Sequence, residues 1–255
     1  MNVLIFLVFI FFILSILILG KSSFYVISGL FLSIGLFLLF ILGLKIGLPI
    51  YWIAIFYIVI NSLITLVFVN NWNEKTKAAL VSVLLFIVIV LIFMIPIVKR
   101  LGISGFPPQE LEELSALSLD VPISFAELTV TVILIGVSGA LIDGSMSIAS
   151  ATSEIFHRKS GNLSFTDLFK SSMNVVRSIL NSSVNTLLFA FISSSLALIF
   201  WYQDLGTPWF VMINSQAFVS EVAVILLSSI SVALILPFSA AVTCRLLLKK
   251  QTNAD

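Results

Sequence analysis

The 255-residue chain holds one cysteine, Cys244, and one histidine, His157. A single thiol rules out an intrachain disulfide and any cysteine-based metal framework. With one imidazole, zinc chemistry of the usual histidine-rich kind is excluded as well. Charge is scarce too. Asp, Glu, Lys and Arg make up 10% of the residues, where soluble domains carry roughly a quarter. The formal net charge of +1 offers little to a polyanion and argues against nucleic acid as a partner. The patterns G-x-S-x-G, H-E-x-x-H and Walker A are missing, and with them the recognisable nucleophile, zinc and phosphate sites. The expectation is a protein that is not an enzyme and carries neither metal nor cofactor.

What fills the chain is apolar sequence: 60% hydrophobic residues and 23 Phe, with a mean hydropathy of +1.22. A membrane-spanning helix needs about 20 mainly apolar residues. Runs of that kind lie at 3–19, 25–44, 48–69, 78–98, 127–150, 176–202 and 218–243. They are continuous rather than alternating, and a barrel strand is only about 10 residues long. The fold class is therefore all-α, a polytopic transmembrane helix bundle of about seven spans, with membrane lipid as its first partner. The first run has no basic segment before it and no small-residue cleavage site after it. It reads as a retained helix rather than a signal peptide.

Seven spans put alternate loops on alternate sides. One set holds Lys21, Lys75, Lys77, Arg158, Lys159, Lys170, Arg177, Arg245, Lys249 and Lys250; the other holds Lys45, Lys99 and Arg100. The basic set is cytoplasmic by the positive-inside rule, so the N-terminus is outside and the C-terminus inside. The chain divides into a four-span part (1–98), an extracytoplasmic acidic loop (99–124) and a three-span part (125–255). The loop carries Glu110, Glu112, Glu113 and Asp120, and Pro107 and Pro108 can open a short helix there. In the inner loop, Ser164 with Asp167 three residues later reads as a helix N-cap. Leu163, Phe165, Leu168 and Phe169 suggest a segment lying along the headgroups before span six.

Ionisable residues inside the apolar runs occur only in the last three spans. At about 100° per residue, Gly136, Gly139, Ala140, Asp143, Ser147, Ser150 and Glu154 fall on one face of span five. Small residues there let another helix approach closely, and hydroxyls hydrogen-bond across. Asp143 sits about two turns from the cytoplasmic end, and an ionised carboxylate at depth costs a few kcal/mol on insertion scales. In span six Asn174, Arg177, Asn181 and Asn185 share one face, and Arg177 is the expected partner of Asp143, with the amides in the same seam. In span seven Glu221, Ser228 and Ser239 lie within one arc, and Pro237 is expected to kink the helix. Two readings stand: a polar path for a solute, or polar glue between three helices.

Three stretches resemble the YibE/F-like family of bacterial multi-span proteins. "GALIDGSMSIASATSEI" matches at Gly139, Ala140, Asp143, Ser147, Ile148, Ser150, Glu154 and Ile155. "KSSMNVVRSILNSSVNTLLFAF" matches at Met173, Asn174, Arg177, Asn185, Thr186, Leu187 and Ala190. "INSQAFVSEVAVILLSSISVALILPFSAAV" matches at Asn214, Glu221 and Pro237. The motif likeness covers the last half of the chain; the first four spans match in hydropathy alone. Where the family commonly has Gly-Arg-Asp, this chain has Val176-Arg177-Ser178, and serines replace family glycines around 193–195 and 228–231. The resemblance implies a bacterial cytoplasmic membrane protein. It also implies a membrane-only member that works with a related multi-span subunit carrying an extracytoplasmic domain.

Overall fold

The computed structural model describes residues 3–101, 125–158 and 164–252. The expected short helix at Pro107–Pro108 and the acidic loop lie outside them. The described residues form helices and turns with no strand: α1 (Val3–Leu19), α2 (Ser23–Lys45), α3 (Ile50–Leu63, running on through a π-helical segment, Ile64–Val69), α4 (Glu74–Leu101), α5 (Phe125–Arg158), α6 (Phe165–Asp204), the short α7 (Trp209–Ile213) and α8 (Gln216–Thr252). Helix is the form that apolar runs of this length must take in lipid, because it satisfies every backbone group within the segment.

Among the described residues, six helical stretches are long and apolar enough to cross a membrane, and the first, Ile5–Lys45, takes in nearly all of α1 and the whole of α2. It is broken by a single 3-10 turn, Gly20–Ser22. Gly20 has φ +54°, a left-handed conformation open to glycine without steric cost. The turn reverses the chain, since Phe12 of α1 stacks on Phe31 of α2 with ring centroids 6.2 Å apart. The seven expected spans are therefore present as seven long helices.

Three helix starts are capped by side chains, one of them that of α8, where Ser215 Oγ accepts from Phe218 N at 3.3 Å. Asn73 Oδ1 accepts from Thr76 N at 3.0 Å, while Thr76 Oγ1 accepts from Asn73 N at 2.8 Å, a reciprocal cap that opens α4. Ser164 Oγ accepts from Asp167 N at 3.3 Å at the start of α6, as expected. The segment after Ser164 does not lie along the headgroups as a separate piece. It continues directly into the 40-residue α6, because Leu168 is fully buried and Phe169 packs on the core.

Helix α5 is the centre of the bundle, packed against α3, α4, α6 and α8. Its Val130, Ile133, Val137, Leu141 and Ile148 meet Val83, Phe86 and Val90 of α4 and Val232, Ile235 and Leu236 of α8 in one buried core. Helix α4 packs chiefly on α5 and α8, and α8 runs through Pro237 without a break in the helix. The α1–α2–α3 group lies at the edge. Tyr25 meets Phe68 and Phe40 meets Tyr57, which sets α2 antiparallel to α3.

The ends sort as alternate connection requires. Glu154 at the end of α5 feels the charge of Lys75 at the start of α4, and Tyr51 at the start of α3 feels Glu127 at the start of α5. The ends that carry Lys75 and Arg158 thereby lie together at one end of the bundle, and the starts of α3 and α5 at the other.

Candidate functional site

Along α5 the buried positions, from Val130 to Ile148, recur every three or four residues. The positions between them, Gly136, Gly139, Asp143, Ser147 and Glu154, are exposed, and Ser150 is half-buried. The polar stripe is thus a single face, as its spacing predicts, and that face points away from α4. Beside it stands α6, and together with α8 the two helices enclose a cavity of about 240 Å³. Ala140, Asp143, Gly144 and Ser147 form its floor; Ile179, Ser182, Ser183, Thr186 and Leu187 of α6 form a wall; Val232 of α8 closes the back. The Thr186 hydroxyl donates to the Ser182 carbonyl at 3.0 Å, which satisfies its proton and leaves oxygen lone pairs for a ligand.

At the back of the groove α5 and α8 come close together. A Cβ on Gly144 would stand 3.0 Å from Leu236 Cδ2. One residue on, Ser239 Oγ donates to the Ser145 carbonyl at 3.2 Å and ties α8 to α5. Gly136 and Gly139 do not have the close-packing role expected of them, because a Cβ on either would meet nothing within 4 Å.

The Asp143–Arg177 pair is not formed. The two antiparallel helices bring Ser182, Ser183 and Thr186 level with Asp143. Arg177 precedes Ser183 by nearly two turns, roughly 9 Å along the axis. Nor do the amides join the seam. The buried face of α6 is that of Leu168, Ser172 and Val176. Asn174, Arg177, Asn181 and Asn185 occupy the opposite side and are exposed. Glu154 pairs with Arg158 of its own helix at 2.7 Å. Glu221 is exposed near the start of α8, away from the cavity, while Ser228 bonds back to the Val224 carbonyl at 2.7 Å.

Sequence reasoning missed Ser182, Ser183 and Thr186. Their signal was present in the run Asn181-Ser182-Ser183 and in Thr186 beside Asn185, where hydroxyls flank the amides. What the arrangement can do is hold a small polar species. One carboxylate and four hydroxyls converge in otherwise apolar helices, a setting that suits a cation or a hydrogen-bonding solute and disfavours lipid. Among the described residues, no three His, Cys, Asp or Glu side chains come together to hold a metal ion.

A family model described as YibE/F-like protein matches residues 7–249. The chain belongs to the YibE/F-like family. The match takes in the first four spans, which the motif likeness alone had left to hydropathy. No curated protein and no solved structure matches the chain. Family and helices together make this an integral membrane protein whose apolar flanks meet lipid, with Phe6, Phe9, Phe31, Trp52 and Phe56 exposed along them.

Proposed function

We propose that this YibE/F-like protein moves a small solute or ion across the bacterial cytoplasmic membrane through the groove of α5, α6 and α8. The observation that carries the reading is the cavity at Asp143: an acid and four hydroxyls around about 240 Å³ of space, within helices that are otherwise apolar. An intramembrane carboxylate costs about 2.5–3.5 kcal/mol on insertion scales. A groove that supplies water or a counter-ion removes that cost. A carboxylate favours cations over anions, and no nucleotide motif is present, so coupling would be to an ion or to another protein. The protein works without catalysis, with its basic end in the cytoplasm, and by family analogy beside a related multi-span subunit with an extracytoplasmic domain.

Purified protein in liposomes, given imposed gradients of H⁺, Na⁺ or K⁺, tests the reading by flux. Asp143→Asn should abolish flux in protein that still folds. Flux unchanged in that variant overturns the role of Asp143. Access is tested separately: in a Cys244→Ala background, Ser183→Cys should react with a membrane-impermeant thiol reagent, and an unreactive Ser183→Cys means a dry joint rather than a path.

A second reading is favoured by the amide face of α6, which is polar and exposed and makes no side-chain hydrogen bond to another helix among the described residues. On this reading the chain is a non-transporting scaffold that anchors a partner, and flux would be absent in every gradient.

A further inference from the structure

A helix in lipid normally turns its apolar side outward and its polar side toward protein. Helix α6 does the reverse over the first half of its span. Leu168 and Val176 face the bundle beside Ser172, whose hydroxyl is spent on the Leu168 carbonyl, while Asn181 and Asn185 lie on the exposed side with Asn174, Arg177 and Ser178. Ser182, Ser183 and Thr186 put this region level with Asp143, within the spanning part of the bundle rather than at its rim. The exposed face of α5, with Gly136, Gly139, Asp143 and Ser147, adjoins it. A face built this way requires a protein cover.

We infer that the cover is a second copy of this chain, packed α6 against α6 about a two-fold axis parallel to the helices. Two features of the face are self-complementary. An asparagine amide both donates and accepts, so Asn181 and Asn185 pair with the same residues of a second copy. The charges also match. Around α6, Arg177 lies on one flank of the Asn181–Asn185 line, and Ser182, Thr186 and the Asp143 groove lie on the other. A two-fold axis sets each flank against the opposite flank of the second copy. Arg177 of one copy then faces the cytoplasmic half of the other's stripe, below Asp143 and toward Glu154, so the two flanks carry opposite charge without a direct Arg177–Asp143 pair. Neither Asp143 nor Arg177 has an ion-pair partner among the described residues. The dimer would also close the open side of the groove, but the inference stands whether or not the groove carries a solute.

The test uses the full chain in its native membrane. In a Cys244→Ala background, Asn181→Cys and Asn185→Cys should form disulfide-linked dimers on mild oxidation, and Phe56→Cys, exposed on α3, should not. Two differently tagged copies should co-purify in mild detergent. Recovery of the second tag should fall about tenfold in Asn181→Leu/Asn185→Leu, the change expected from losing two interhelical hydrogen bonds. Thermal unfolding of the double variant as a folded monomer keeps loss of pairing distinct from loss of fold. Cross-linking no stronger than at Phe56→Cys, or a single tag recovered with a different multi-span subunit in place of the second copy, overturns the inference. So does a leucine double variant that is more stable than the parent with pairing unchanged, because that face would then meet lipid.

Discussion

Two of the grooves on the side of the bundle differ in chemistry more than in size. The one between α2 and α3 measures about 320 Å³ and is lined by Leu36, Leu39, Phe40, Trp52, Phe56 and Tyr57 among others. The one at Asp143 measures about 240 Å³ and carries a carboxylate and four hydroxyls. An acyl chain can fill the first at no polar cost. It cannot fill the second without stranding Asp143. The same contrast runs through the helices around them. The α1–α3 group keeps large apolar side chains exposed and touches the core lightly, whereas α4, α5 and α8 pack on one another and α6 packs closely on α8 and on α5 beside the polar groove. The edge group meets lipid; the central group does whatever the protein does beyond being in a membrane.

The sharpest way to break this comparison is to exchange the grooves' roles. Asp143→Asn should abolish flux in liposomes while Trp52→Leu leaves it intact; equal losses from both would make the distinction between grooves meaningless. Next in size is the close approach behind the polar groove. Gly144→Val should overpack against Leu236 and cost about 1–3 kcal/mol, seen as a lower Tm in detergent. Gly139→Val on the open face of the same helix should leave Tm nearly unchanged. A smaller effect is expected at Ser239→Ala, where one interhelical hydrogen bond is lost for about 0.6 kcal/mol by chemical unfolding in mixed micelles. Smallest of all is Glu154→Gln, whose partner Arg158 is exposed on the same helix; its Tm should not move measurably.

Much of the fold could be read from residue patterns because lipid leaves the backbone few choices. Continuous apolar runs became helices, and Ser164 with Asp167 marked the start of α6. Both polar faces were legible as faces, Asp143 with Ser147 on α5 and Asn174 to Asn185 on α6, since helical spacing determines which residues share a side. What spacing does not contain is which way a side turns. In water, burial sorts apolar residues inward. In a membrane both the interior and the surroundings are apolar, so hydrophobicity loses that power. Spacing alone therefore places the amides of α6 in the seam, whereas they face outward. The vertical register between helices was equally hidden. Arg177 and Asp143 are near in sequence logic but stand about two turns apart in height, because the antiparallel packing of α6 brings Ser183 to that level instead.

The three residues Gly20–Ser22 carry a consequence for the whole chain. Without them the apolar stretch Ile5–Lys45, 41 residues long, would be one rod of roughly 60 Å, twice the thickness of a bilayer core. With them it counts as two crossings. Every later connection takes its side from that odd-or-even choice. A turn at the far edge of the molecule thus decides on which face of the membrane the basic ends of α5, α6 and α8 emerge.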